Sequence, residues 1–288
     1  MHVWMNHRPP PEAYGRAAAG GWLLPAAAAV APFTDRGLLL GDGLFETVRV
    51  VAGRAPLLNR HQARLRAGAE ILGFDGPAAI ETLAVALAAV LEISGLSDGY
   101  ARITCTRGSG GRGYEPPQNA DPLLFIQIGP WTPAPAPLRA ALAADPVAPH
   151  PVLSGIKHTS ALSNVLLRSE ARARGLDEMI MINTSGCLVE GAATNLFWTA
   201  GGRIYTPGRE CGCLPGIARN WVLEQFPVVE GKFSPAVLDQ ADEVFLTNAL
   251  IGAAGVASVG GAGVWQAPGP VTMDLQRRWT ALFAMSGG

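Results

Sequence analysis

Twenty arginines stand against two lysines, Lys157 and Lys232, in this 288-residue chain. Arginine keeps its proton in any protein and cannot form an imine, whereas a desolvated lysine can shed a proton and attack a carbonyl. A lysine kept in the run Ser154-Gly155-Ile156-Lys157-His158 therefore points to Schiff-base chemistry. Drift of Lys to Arg in a GC-rich genome gives the same scarcity without any chemistry, and the count does not separate the two readings.

Other residues suit an anionic, ring-bearing ligand. Leu214-Pro215-Gly216-Ile217 places a glycine where a helix begins, so backbone N–H groups can approach a phosphate closely and the helix dipole favours the anion. Thr247-Asn248 add polar groups at a strand end, and Arg64 offers a neutralising charge. Glu190 lies between Val189 and the small Gly191-Ala192-Ala193; a carboxylate so placed needs a partner. A pyridine nitrogen would serve, since the carboxylate would keep the ring protonated as an electron sink. An arginine would serve as a plain structural partner.

Gly108-Ser109-Gly110-Gly111-Arg112-Gly113 has dinucleotide-loop spacing, but Tyr114-Glu115-Pro116-Pro117 follows in place of the helix that must receive a pyrophosphate. A mobile loop carrying Arg107 and Arg112 over an anionic substrate is one reading; a flexible hairpin tip is the other. Cys105, Cys187, Cys211 and Cys213 form no spaced pair of pairs, so no metal site is expected.

These residues need elements to hold them. The four prolines from Pro130 to Pro137 favour an extended connector, dividing the chain into a small N-terminal domain (1–130), a linker (131–137) and a larger domain (138–288). The first reads as a strand over 44–51, a helix from about Asn59 through Arg64, an Ala-rich helix from Pro77 to about Glu92, and a hairpin of strands 100–106 and 123–128. The second opens with an amphipathic helix over 161–174 that turns Leu162, Val165, Leu166 and Ala173 to one face. Strands over 178–183, 187–190, 195–199 and 203–206 follow, then a helix from Gly216 to about Phe226 and a last strand over 243–247. The order is α+β.

Composition limits the partners. With 49% hydrophobic and 16% charged residues and a net charge of −1, the chain can build large cores and offers no electrostatic footprint for nucleic acid or an anionic membrane. Small molecules are the expected partners. No apolar run reaches the roughly 18 residues of a spanning helix, and the N-terminus lacks a secretory pattern, so a cytoplasmic location is expected.

The blocks, taken in order, resemble the fold-type IV pyridoxal-phosphate enzymes, the class IV aminotransferase family. Gly41-Asp42-Gly43-Leu44-Phe45-Glu46-Thr47 is similar to its N-terminal strand signature and His61-Gln62-Ala63-Arg64-Leu65 to its phosphate-arginine helix. Gly155-Ile156-Lys157 resembles the Schiff-base segment, and Leu188-Val189-Glu190-Gly191 with Thr194-Asn195-Leu196-Phe197 the strand bearing the pyridine-nitrogen glutamate. Leu214, Gly216-Ile217 and Thr247-Asn248 match the phosphate-side blocks.

The resemblance implies a two-domain α+β fold like that of D-amino-acid aminotransferase, a β-rich C-terminal domain, pyridoxal 5′-phosphate as cofactor and a homodimer. Lys157 would hold the cofactor and act as general base. Arg64, Glu190, Thr194, Asn195, Leu214, Gly216, Ile217, Thr247 and Asn248 would bind it. The run 106–114 and Gly155-Ile156-Lys157-His158 look like aminodeoxychorismate lyase segments, implying release of p-aminobenzoate and pyruvate with Arg107 on a substrate carboxylate. A D-amino-acid or branched-chain aminotransferase is the alternative. Ala218 departs from the family's usual phosphate-binding threonine, and Thr159-Ser160 from its usual Leu-Asn.

Overall fold

A computed structural model of the chain describes residues 2–6, 16–18, 20–74, 80–133 and 136–285. The chain forms two compact units: Met1–Thr132 with Ile156–Ser160, and Pro133–Gly155 with Ala161–Gly288. The return of 156–160 to the first unit is not visible in the sequence, which groups Lys157 with the residues after the linker.

In the first unit, strands β1 (His2–Met5), β2 (Arg16–Ala18), β3 (Gly21–Pro25), β4 (Gly43–Val51), β5 (Asp98–Thr106) and β6 (Leu123–Pro130) form one sheet in the order β2-β3-β1-β6-β5-β4. Every pairing is antiparallel. Along β4, Leu44, Glu46, Val48 and Val50 are buried, whereas Phe45, Thr47 and Val51 are partly exposed. Arg49 is the exception, drawn under Trp131, whose ring lies 4.1 Å from its guanidinium carbon. Period-two alternation of this kind gives the strand one face for the core and one for chemistry.

Helices α1 (Arg36–Leu40), α2 (Leu58–Leu72) and α3 (Leu83–Ser94) complete the unit. Helix α2 buries His61, Leu65, Gly68 and Ala69, and a methyl group on Gly68 would press on Leu44 at 3.0 Å. The expected helix start at Pro77 lies outside the described residues. The N-terminal stretch from His2 to Pro25, where no element is expected from sequence, supplies β1 to β3. Its Trp4, Met5 and Leu24 are fully buried, so it is part of the core.

The second unit is built on a mixed sheet. Its strands are β7 (Leu138–Leu142), β8 (Glu178–Ile182), β9 (Leu188–Gly191), β10 (Asn195–Ala200), β11 (Arg203–Pro207), β12 (Val228–Gly231), β13 (Glu243–Asn248), β14 (Gly252–Gly260) and β15 (Gly263–Val264). They run in the order β12-β11-β10-β13-β14-β7-β8-β9, with β15 on β14. Leu138, Ile180, Leu188, Leu196, Trp198, Leu246 and Val256 form the main cluster, closed by Phe233, which meets Trp198 edge-on at 4.9 Å. The remaining helices are α4 (Leu162–Ala173), α5 (Ile217–Gln225) and α6 (Pro270–Met285).

Strands β7 and β14, and helix α6, were not expected from sequence. Strand β14 reads Gly-Ala-Ala-Gly-Val-Ala-Ser-Val-Gly, in which only Val256 and Val259 are branched and small residues hide the strand signal. It needs small residues because a Cβ on Gly252 would lie 2.5 Å from the Trp279 ring and one on Gly255 2.7 Å from Pro268.

The face assigned to α4 is corrected. Leu162, Val165 and Leu166 are exposed, and the helix meets β8 and the Ala192 carbonyl along a stripe of Asn164, Leu167, Arg168 and Ala171. That stripe has the i, i+3, i+4, i+7 spacing of one helix face and mixes polar with apolar residues, so hydrophobicity alone selects the wrong side.

Candidate active site

Residues 157–159 run antiparallel along the outer edge of β4. The Phe45 N–H donates to the Lys157 carbonyl at 2.9 Å, the Thr159 N–H donates to the Gly43 carbonyl at 2.8 Å, and Leu44 pairs with His158. Because β4 ends its sheet, its outward backbone groups would otherwise lack partners. The Lys157 Nζ stands 4.4 Å from the centre of the Phe45 ring, and the Arg102 guanidinium carbon 4.2 Å from the same centre. Arg102 is exposed and forms no ion pair with a carboxylate among the described residues. An amine and an open cation therefore share one aromatic ring. Sequence reasoning missed Arg102, whose only signal is a charge in the outward register of a strand.

Arg64 has a specific partner. Its Nε donates to Glu46 Oε1 at 2.7 Å and its Nη2 to Glu46 Oε2 at 2.6 Å, while His61 Nδ1 lies 2.6 Å from Oε2. Bidentate pairing fixes the plane of the guanidinium. Phe45 and Glu46, adjacent on β4, leave on opposite faces, so Lys157 and the Arg64 pair meet neighbouring residues from different sides.

Burial alone would raise the Glu46 carboxyl, but the charge and hydrogen bonds of Arg64, with His61, outweigh it and hold the pKa at about 2. The folded value is thus depressed, and the stability from this pair is complete above the ordinary 4.5 and lost as pH falls toward about 2. Thermal melts taken down through that window should show a falling midpoint, and Glu46→Gln should flatten the dependence. An equally steep fall in the variant would assign the acid sensitivity elsewhere.

Arg107 is not on a mobile tip. It is 5% exposed; its Nε donates to Asp42 Oδ2 at 2.8 Å, Nη1 to the Gly73 carbonyl at 3.1 Å and Nη2 to the Leu72 carbonyl at 2.8 Å. Those carbonyls close α2, whose C-terminus carries the negative end of the helix dipole. The sequence gives Arg107 to a substrate carboxylate, whereas the structure gives its guanidinium to an internal one. The Gly108–Tyr114 run is likewise built: Arg36, 4% exposed, donates to the carbonyls of Gly110, Gly113, Tyr114 and Glu115. No helix follows Gly113, consistent with the rejected dinucleotide motif.

The second unit assembles most of the other expected residues around one strand end. Glu190 Oε2 accepts from Asn195 Nδ2 at 2.8 Å and from the Leu214 N–H at 3.1 Å. Asn195 also donates to the Leu214 carbonyl at 2.9 Å and faces Thr247 in the β10–β13 register. Gly216 caps the N-terminus of α5, and a Cβ there would lie 2.0 Å from Asn195 Oδ1. The first-turn amides of α5, contributed by Ile217 and Ala218, have no intrahelical acceptor.

Thr247 is fully buried, and its Oγ1 has no hydrogen-bond partner among the described residues. An orphaned hydroxyl, a glycine that must lack a Cβ and a helix N-terminus fit a phosphate, and the oriented Glu190 carboxylate fits a protonated ring nitrogen. Ala218 adds no hydroxyl to this set. The residues present therefore fit pyridoxal phosphate.

Two expected ligands have other work. Thr194 donates its hydroxyl to Glu178 Oε2 at 3.0 Å, and Asn248 caps the following turn through the Leu250 and Ile251 N–H groups, each at 3.0 Å. Glu178, not singled out in the sequence, is buried and also accepts the Ala193 N–H at 3.1 Å. It shapes the turn that follows Glu190. Among the described residues no cluster could hold a metal, and no helix is long and apolar enough to cross a membrane.

The model of amino-transferase class IV matches residues 43–259. The branched-chain-amino-acid aminotransferase of Escherichia coli K12 is 30% identical, covering 84% of each chain. The aminodeoxychorismate lyase of Vibrio harveyi is 28% identical over 79% of this chain and 87% of its own. Among solved structures, the 4-amino-4-deoxychorismate lyase of Pseudomonas aeruginosa aligns over 97% of this chain and 98% of its own, at 32% identity and a TM-score of 0.80. A branched-chain amino acid aminotransferase from Escherichia coli aligns over 98% and 94%, at 27% and 0.84. This chain belongs to the class IV amino-transferase family, has its fold-type IV α+β architecture and takes pyridoxal 5′-phosphate as cofactor.

Proposed function

We propose that this protein is a 4-amino-4-deoxychorismate lyase, releasing p-aminobenzoate and pyruvate. The observation that carries the reading is that the Lys157 amine and the exposed Arg102 guanidinium lie 4.4 and 4.2 Å from the centre of the same Phe45 ring. It suits a substrate that carries both an amine and a carboxylate. The choice of the lyase is supported by the 32% identity to the Pseudomonas aeruginosa lyase over nearly the whole of both chains. The aminotransferase reading, for D- or branched-chain amino acids, is supported by the Escherichia coli relative at 30% identity.

Bound pyridoxal phosphate supplies an electron sink for the charge left when a proton departs from the carbon bearing nitrogen. Lys157 would hold the cofactor covalently and then, as a free amine, take that proton. Glu190, fixed by Asn195 and Leu214, would keep a proton on the ring nitrogen. The α5 amides, Gly216, Thr247 and Arg64 would bind the phosphate. Thr194 and Asn248 would border it from the turns they shape. Arg102 would bind a substrate carboxylate, the task that the sequence assigns to Arg107. The family resemblance makes a homodimer the expected assembly, and the exposed Leu162, Val165 and Leu166 of α4 support one.

Purified protein given aminodeoxychorismate should release p-aminobenzoate and pyruvate without an amino acceptor. Arg102→Ala should raise KM at least about tenfold, as expected for loss of a charge-assisted contact worth about 1.5–3 kcal/mol, with cofactor content unchanged. Keto-acid formation that depends on an acceptor, with no p-aminobenzoate, would replace the lyase by the aminotransferase. An unchanged KM would remove Arg102 from the substrate site.

A further inference from the structure

Two buried guanidiniums converge on one oxygen. Asp42 Oδ2 accepts the Nε–H of Arg36 and of Arg107, each at 2.8 Å. The backbone repeats the link: the Asp42 N–H donates to the Arg36 carbonyl at 3.3 Å, and the Arg107 N–H to the Asp42 carbonyl at 3.1 Å. One carboxylate does not neutralise two cations, and carbonyl dipoles offset the excess: four from the glycine-rich loop around Arg36, two from the end of α2 around Arg107. Burial alone would raise the Asp42 carboxyl, but the hydrogen bonds and charges of Arg107 and Arg36 hold it below the usual range. The carboxylate ties its own 36–42 stretch to Arg107, 65 residues on, and through Arg107 to the end of α2.

Asp42 sits between two glycines on which the lysine segment rests. A Cβ on Gly41 would lie 2.2 Å from Ser160 Oγ, and one on Gly43 2.9 Å from the Cys105 carbonyl. Close approach is therefore part of the design. The Gly41 carbonyl accepts Thr159 Oγ1 at 2.8 Å and Ser160 Oγ at 3.1 Å, and the Gly43 carbonyl accepts the Thr159 N–H at 2.8 Å. The segment that carries Lys157 is thus bonded on one side to a three-residue stretch whose central side chain is held by two arginines.

We propose that Arg36, Asp42 and Arg107 form a positioning clamp that acts through Gly41–Gly43 on the Lys157–Ser160 segment and so sets where the Lys157 amine stands. The proposal rests on the reading of Lys157 as the residue that holds the cofactor. None of the three residues is catalytic. Arg107 serves as a fork that ties a strand end to the end of a helix, and lysine cannot reproduce that geometry because it offers a single point charge. Thr159-Ser160, the departure from the family's usual pair, gains a purpose as the two hydroxyls that read the Gly41 carbonyl.

The test uses the full-length holoenzyme with Asp42→Asn, which keeps shape and removes charge, and Arg107→Lys. Hydrogen exchange followed by mass spectrometry should show the Phe45 and Thr159 amides exchanging at least about tenfold faster, and kcat should fall at least about tenfold with KM within about twofold. Faster exchange confined to residues 108–115, with Thr159 and kcat at wild-type values, would reduce the cluster to a loop support and overturn the proposal. Should Asp42→Asn fail to fold, Thr159→Val removes one bond to Gly41 without touching the clamp. It should speed exchange at 157–160 and lower kcat, and wild-type behaviour would overturn the proposal. A borohydride adduct on Lys232 would instead defeat the cofactor reading and leave the exchange result standing.

Discussion

In the Lys157→Ala protein, borohydride reduction should trap no pyridoxyl group on the chain, and turnover should fall by about four orders of magnitude or more. Both losses follow from one atom, since an alanine methyl can neither form an imine nor carry a proton, and those two roles are worth several powers of ten together. The fold should survive. The bonds that seat the segment on β4 are the Phe45 N–H to the Lys157 carbonyl and the Thr159 N–H to the Gly43 carbonyl, which are backbone bonds and indifferent to the side chain. The chain carries its own control, because Lys232 is the other lysine and is exposed. A peptide map of the reduced wild type should place the adduct on the peptide containing Lys157, and an adduct on Lys232 would end the assignment.

Glu190→Gln should separate binding from chemistry. The glutamine carbonyl can still accept from Asn195 Nδ2 and the Leu214 N–H, so the local shape holds, and Gly216, Ile217 and Thr247 are untouched. What is lost is the negative charge that would keep a ring nitrogen protonated. Removal of one oriented electrostatic partner costs on the order of 10²–10³ in rate, so kcat should fall by about that much while the cofactor stays bound after dialysis. Near-normal turnover would make Glu190 a structural carboxylate, and loss of the cofactor would make it a binding residue.

Much of the unit that holds Glu190 was legible as sequence because its signals are local. A glycine before a helix, a carboxylate beside small residues and Thr-Asn at a strand end each announce a backbone requirement within a few residues, and the structure brings Glu190, Asn195, Leu214, Gly216 and Thr247 to one strand end. The scarcity of lysine singled out Lys157 for a similar reason, because imine chemistry excludes arginine whatever the surroundings. Strands 44–51, 100–106 and 123–128 were readable from alternation, which depends only on which face of a strand is wet.

Tertiary structure decided how the charged residues are employed. Arg107 and Arg64 looked like open cations, yet Arg107 belongs to Asp42 and the end of α2, and Arg64 has Glu46 beside it. Their partners lie 65 and 18 residues away in the chain. No pattern of neighbours encodes a pairing across that separation, and a buried charge takes whichever opposite charge and carbonyls the packed elements bring within about 3 Å. The same physics hid β7 and β14, whose small residues are right only because Trp279, Pro268 and the adjoining strands press on them. It also hid the return of Ile156–Ser160 to the first unit, which depends on Gly41 leaving room for Ser160, 119 residues away. Sequence by itself determined which groups could do the chemistry; long-range packing determined which of them are left to do it.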